Sequence, residues 1–191
     1  MVDTTVPAGP VITNQPNNSY DKAGTIVLSG TAEAGTTVQV FDGATPRGIP
    51  VNGSASGAWS KTLSGVGDGP HTYTAKTTDE AGNTSVASAP RKVRVDKDSP
   101  MGMVTINSGA ASTKSRTATL ALKATDPSPA SGVALARYRN ENTTWSSWQA
   151  YTTSRSWTLS SGAGNKTVYV QYQDRTGNVS TQARDTIKYA P

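Results

Sequence analysis

An internal repeat constrains this chain more than any other feature. Val2-Asp3-Thr4-Thr5-Val6-Pro7 returns as Val95-Asp96-Lys97-Asp98-Ser99-Pro100, and Asp79-Glu80-Ala81-Gly82-Asn83-Thr84-Ser85 returns as Asp174-Arg175-Thr176-Gly177-Asn178-Val179-Ser180, at offsets of 93 and 95 residues. Two separate motifs sharing nearly one offset mark a duplicated unit. The 191 residues therefore read as two domains, 1–96 and 97–191. Each opens on V-D-x-x-x-P and ends with a D-x-x-G-N turn and a last strand. A unit of this size can close a modest core of its own. Pro100, lacking an N–H, stiffens the entry to the second.

Within each unit the pattern is that of strands. No stretch repeats apolar residues at helical spacing for more than a turn, whereas period-two alternation recurs, as at Ile26 and Leu28, Val38 and Val40, Tyr73 and Ala75, and Val168, Val170 and Tyr172. The 28 threonines and 21 serines suit strands and turns respectively. Turn signals such as Ala34-Gly35, Asp42-Gly43, Asn52-Gly53 and Asp68-Gly69 separate the runs. Strands are expected near 10–14, 25–31, 36–42, 46–51, 57–64, 70–78 and 84–95, and again near 102–107, 116–124, 133–140, 144–151, 154–160, 166–173 and 179–189. Seven short strands per unit predict an all-β fold of two tandem immunoglobulin-like β-sandwiches. The chain has no cysteine, so there is no disulfide, and buried packing such as Trp59 must take its place.

The residues of the first unit carry a family resemblance. The opening Val2-Asp3-Thr4-Thr5-Val6-Pro7, Gly30-Thr31-Ala32-Glu33-Ala34-Gly35, Gly57-Ala58-Trp59, Asp68-Gly69-Pro70-His71 and Thr78-Asp79-Glu80-Ala81-Gly82-Asn83 resemble bacterial immunoglobulin-like repeats of large surface adhesins and biofilm proteins. The second unit is a looser match. Its Trp145-Ser146-Ser147-Trp148, Lys166-Thr167-Val168-Tyr169-Val170 and Asp174-Arg175-Thr176-Gly177-Asn178 are similar to Ig-like repeats of bacterial surface and secreted proteins. The resemblance implies a non-catalytic, extracellular module, present as a monomer beside further repeats of its own chain. It requires no cofactor, although many such repeats use interdomain calcium.

Composition limits the chemistry. Without cysteine there is no thiolate ligand or thiol nucleophile. His71 is the single histidine, so a His-rich metal site is excluded and any catalytic triad would depend on that residue. No apolar run reaches the length of a membrane span. The carboxylates are another matter. In an Ig-like sandwich the B–C and F–G loops gather at the pole where strand A begins. Asp3, Glu33, Asp79 and Glu80 should therefore meet at one pole of the first unit, and Asp96, Asp98, Asp126 and Asp174 at the junction. Calcium accepts six to eight oxygens borrowed from several loops, so Asp3, Glu33, Asp79, Asp96, Asp98, Asp126 and Asp174 are the candidate ligands. The competing reading is that these are turn aspartates bonded to their own backbone.

Charge and aromatics are uneven. Residues 1–98 hold 8 Lys and Arg against 9 Asp and Glu, net −1, whereas residues 99–191 hold 10 against 4, net +6. The stretch 137–157 concentrates Arg137, Arg139, Trp145, Trp148, Tyr151 and Arg155, with Tyr138 and Trp157. Aromatics stack on sugar rings and arginines pair with anions. This segment is the candidate contact surface for a cell-surface glycan or anionic polymer. No specific nucleic-acid recognition element is visible. The function expected is that of a spacer in the stalk of a surface adhesin or secreted protein, the alternative being a carbohydrate- or anionic-polymer-binding accessory module. All three tryptophans of the second unit buried would favour the spacer, and an exposed flat strip the binding module.

Overall fold

The computed structural model describes residues 3–191; Met1 and Val2, part of the first opening motif, lie outside them. The described residues are all-β apart from one 3-10 turn at Asn107–Gly109. The chain separates into two compact units divided between Lys97 and Asp98.

The first unit contains β1 (Val11–Ile12), β2 (Ser19–Asp21), β3 (Ile26–Thr31), β4 (Thr37–Asp42), β5 (Thr45–Pro46), β6 (Val51–Asn52), β7 (Ala58–Leu63), β8 (Gly69–Thr78) and β9 (Arg91–Val95). One sheet runs β1-β3-β7; the other runs β2-β9-β8-β4-β5, with β6 also on β4. Every contact is antiparallel except β2 on β9. The second unit repeats the plan with β10 (Met101–Ile106), β11 (Ser112–Thr113), β12 (Thr117–Thr125), β13 (Val133–Asn140), β14 (Gln149–Ala150), β15 (Ser154–Thr158), β16 (Gly164–Asp174) and β17 (Ala183–Tyr189). Its sheets run β10-β12-β15 and β11-β17-β16-β13-β14, with β11 parallel to β17. Two face-packed sheets of this order are an immunoglobulin-like sandwich.

Alternation builds each core. In the first, Ile26, Leu28, Val38, Val40, Tyr73 and Val93 are buried around Trp59, which is 4% exposed. Trp59 is buried, as the place expected of it in a core without a disulfide requires. In the second, Leu120, Tyr138, Val168, Val170, Tyr172 and Ile187 are fully or nearly fully buried. Large aromatics recur here because a small sandwich without a covalent staple must gain its stability from apolar area and close packing. Tyr172 also donates its phenol O–H to the Met103 carbonyl at 2.6 Å.

Four expected strands are shorter or broken. The run 46–51 survives only as β5 and β6, 84–95 only as β9, 144–151 only as β14, and 179–189 only as β17. In three of the four, 84–95, 144–151 and 179–189, the physical reason is one device, used four times. At Ser85, Ser88, Ser146 and Ser180 the backbone N–H donates to a carbonyl of the neighbouring strand, of Thr77, Ala75, Tyr138 and Tyr172 respectively, at 2.8–2.9 Å. The returning N–H of that same residue is accepted by the serine hydroxyl at 2.9–3.1 Å instead of by a backbone carbonyl. Each hydroxyl then donates to the carbonyl of the next residue. The ladder is replaced by side chains and the strand is interrupted without leaving buried polar groups unpaired. Ser180→Ala strands the buried Tyr172 N–H and is expected to cost about 1–3 kcal/mol. Urea denaturation of the second unit checks it, and an unchanged midpoint would contradict this role.

Candidate functional site

The two D-x-x-G-N turns close in the same way. The Asp79 N–H donates to the Asn83 carbonyl at 3.1 Å, while the Asn83 N–H and Nδ2 donate to Asp79 Oδ1 and Oδ2 at 2.8 and 2.9 Å. In the second unit Asp174 receives the same bonds from Asn178, both at 2.9 Å, and two more on Oδ1 from the Gly177 N–H and the Thr176 hydroxyl, both at 2.7 Å. Gly82 and Gly177 share a φ of 92°, a conformation that only glycine adopts without strain. The Asn83 side chain is the chief cause of an Asp79 carboxyl held below its usual range. These are turn-building aspartates first.

The loops do gather carboxylates. Asp3, Glu33, Asp79 and Glu80 line one shallow concavity at a pole of the first unit. Among the described residues they are not close enough together to form a three-ligand group. Glu33 Oε2 accepts the Ala8 N–H at 2.9 Å and Asp3 Oδ1 the Thr5 N–H at 2.9 Å. Asp96 follows β9, is fully buried, and donates its N–H to the Asp21 carbonyl; Asp98 opens the second unit. In that unit the loop after β12 carries Asp126, whose Oδ2 accepts the Gly132 N–H at 2.6 Å. A carboxylate oxygen of Asp126 lies within 4.8 Å of one on Asp174. Asp174 is 2% exposed. Two carboxylates at that distance repel by about 3 kcal/mol at an effective dielectric near 20. The donors are all hard oxygens. Asp174 Oδ2, which accepts the Asn178 amide at 2.9 Å, is the oxygen of that residue with capacity for an ion, and hard oxygens are the donors calcium takes.

His71 serves structure. Nδ1 lies 2.7 Å from Asp42 Oδ2 and Nε2 lies 2.9 Å from the Gly67 carbonyl, and the ring stacks on Tyr73. Both nitrogens are thus engaged by their own unit. Burial works to raise the Asp42 carboxyl, but bonds from His71, the Thr72 N–H and Arg47 outweigh it and hold the group below its usual range. Because the folded value is depressed, this stabilisation is present above the unfolded value near 4 and is lost as pH falls through the folded value. Asp42→Asn should therefore lose less stability between pH 7 and pH 3 than the parent. Equal losses in denaturant titrations at the two pH values would contradict the assignment.

The arginine and aromatic residues form a ladder. On the outward side of β13, the guanidinium of Arg137 sits 4.9 Å from the Trp145 ring and 4.6 Å from Trp148; Arg139 sits 5.1 Å from Trp145 and 4.0 Å from Tyr169. Their order is Trp148, Arg137, Trp145, Arg139, Tyr169. Gln171 Oε1 accepts from Arg137 Nε and Nη2 at 3.0 and 2.6 Å, and Gln182 Oε1 from Arg139 Nη2 at 3.0 Å. Ser146, docked on Tyr138, is what holds Trp145 and Trp148 over the sheet.

Two residues expected on that surface lie elsewhere. Tyr151 packs on the core, edge-on to Tyr172, with its hydroxyl accepting the Ala124 N–H at 3.0 Å. Arg155 alternates inward on β15 and stacks over the buried Tyr138 at 4.7 Å. Trp157 points the same way, against Tyr138, and donates Nε1–H to Asn140 Oδ1 at 2.8 Å. Period-two alternation from Trp157 could have placed Arg155; the charge of an arginine argued against burial. Tyr169, not among the residues expected on that surface, completes the ladder. The three tryptophans are thus neither all buried nor an exposed flat strip.

Residues 12–97 match the family model described as a bacterial Ig-like domain. That match spans most of the first unit. No curated protein matches the chain by sequence. By structure it is similar to the fibronectin(III)-like modules of CbhA from Clostridium thermocellum, with a TM-score of 0.54, 16% identity, and coverage of 93% of this chain and 92% of that one. It is also similar to the FN1–FN3 domains of chicken CNTN1, with a TM-score of 0.52, 10% identity, and coverage of 97% and 67%. At such identities these likenesses speak for the fold alone. Bacterial Ig-like domains usually belong to surface or secreted proteins. Among the described residues no helix is long and apolar enough to cross a membrane.

Proposed function

We propose that this chain is a non-catalytic spacer: two Ig-like modules in the stalk of a bacterial surface adhesin or secreted protein, working outside the cell beside further repeats of the same chain. The observation that carries this reading is the bacterial Ig-like match over residues 12–97. Two aromatic-rich cores that close without a disulfide support it. A spacer must transmit distance. Concatemers of one, two and four copies should therefore show a radius of gyration by small-angle X-ray scattering that grows almost in proportion to copy number. Compact particles would grow only as about the 0.38 power of length, and that result would contradict the proposal.

Calcium is proposed as the stiffening ion, held by Asp126 and Asp174 with Asp96 and Asp98 of the connecting sequence as further ligands. Asp3, Glu33 and Asp79 are the corresponding carboxylates of the first unit. A ligand that binds only the folded state stabilises it in proportion to the logarithm of its concentration. Millimolar calcium should raise the melting temperature of the second unit, and EDTA should reverse the rise. Identical melting curves would remove calcium from the account.

A second reading rests on the ladder, which presents paired cations and aromatics on one side of a basic unit. That face is proposed as a contact surface for a cell-surface polymer, whether the pair stands in a stalk or beside an enzyme.

A further inference from the structure

The ladder on the second unit settles what kind of contact its face can make. Stacking on a sugar ring or a nucleobase needs an open aromatic plane. Here every ring already has an arginine on it: Trp145 is in contact with both Arg137 and Arg139, while Trp148 has Arg137 and Tyr169 has Arg139 on one face each. Along the middle of the stack what remains outward is the edges of the guanidinium planes. An arginine held flat between rings loses little further freedom on binding, and its fork matches a carboxylate. Gln171 and Gln182 take some of the guanidinium N–H donors, and the rest remain for an anion. Alternation along β17 puts Arg184 and Lys188 on the same side, both exposed, and Arg184 is the cross-strand partner of Tyr169. The outward positions of β13, β16 and β17 carry no carboxylate. Two acids lie close by: Glu141, which follows β13, is engaged by Ser160 and the Thr167 N–H, and Asp185, on the inward side of β17, accepts the Ile106 and Thr186 N–H groups. Arg137 and Arg139 are two apart on one strand, so their attachment points are roughly 7 Å apart, as suits a ligand with repeated charges.

We infer that this face binds an acidic polysaccharide, taking its carboxylates on the guanidinium edges of Arg137 and Arg139 with Arg184 and Lys188 alongside, and that it does not hold neutral sugars by stacking. This rests on the reading of the second unit as a contact module and names its ligand class.

The test is titration of the full chain, at low salt, with polygalacturonate, with the same polymer fully methyl-esterified, and with inorganic polyphosphate. Polygalacturonate should bind, at least about tenfold more tightly than the ester, and its affinity should fall steeply as salt is raised. The double variant Arg184→Gln, Lys188→Gln lies outside the stack and should weaken binding about three- to tenfold with an unchanged melting temperature. Arg139→Lys, which keeps the charge but loses the fork, should weaken it by a similar factor. Equal binding of the ester would overturn the acidic ligand while leaving a contact surface standing. Binding of neither polymer would overturn both. Polyphosphate binding as tightly as polygalacturonate, or affinity unaltered in the double variant, would also overturn the inference. The scaling of concatemers is independent of every one of these outcomes.

Discussion

Replacing Trp59 with alanine is expected to remove about 3–5 kcal/mol from the first unit, the range for deleting a large buried aromatic. Trp59 is 4% exposed in the middle of a core that has no disulfide to share the load. Its indole Nε1 makes no hydrogen bond, so its contribution is apolar area and packing, not a polar contact. Trp59→Phe should therefore cost less than half as much as Trp59→Ala. A domain of this size has only about 5–15 kcal/mol to lose, so the alanine variant should leave the first unit close to unfolding at 37 °C. Near-ultraviolet circular dichroism and urea denaturation would follow it. An alanine variant within 1 kcal/mol of the parent would mean that Trp59 does not take the place of the disulfide.

Asp174→Ala should be nearly as damaging, about 3–5 kcal/mol, the scale for deleting one partner of a buried charged network. Five donated bonds are at stake in and around one buried turn: four into the carboxylate from Thr176, Gly177 and the Asn178 N–H and amide, and the backbone bond from Asp174 to Asn178 that they support. Asp79→Ala in the first unit removes the same turn aspartate from a half-buried setting with fewer donors, and should cost clearly less. The comparison separates two roles for the aspartate. If Asp174→Ala is costly in EDTA as well as in calcium, the loss is of the turn; if it is costly only in calcium, the loss is of an ion. The hydrogen bonds predict the first outcome, with calcium adding to it.

The difference between the units bears on how much can be read from residues. The repeat, the tandem sandwiches and the inward faces of β3, β4, β8 and β16 follow from alternation and turn chemistry, because one buried face forces period two. The D-x-x-G-N turns were legible for the same reason: an aspartate, a glycine at positive φ and an asparagine have few other uses together. The parallel strands β2 and β11 were not legible, since two or three residues cannot show a period. The interruptions at Ser85, Ser88, Ser146 and Ser180 were hidden because a serine hydroxyl that replaces a carbonyl looks, in sequence, like any surface serine. At the candidate contact face, composition located the segment but not its facing. Arg155 and Tyr151 turned inward because a cation can lie on a buried ring and a phenol can find a backbone partner.

The central claim is that the chain consists of two self-sufficient modules that hold distance under load. Pulling the chain from its two ends with optical tweezers tests this most directly. The account predicts two discrete unfolding steps, each releasing about 300 Å, the extended length of one unit less its folded span. The first unit's step should move to lower force in Trp59→Ala and the second unit's in Asp174→Ala. A single step of double length, or gradual extension at low force with no step, would contradict it.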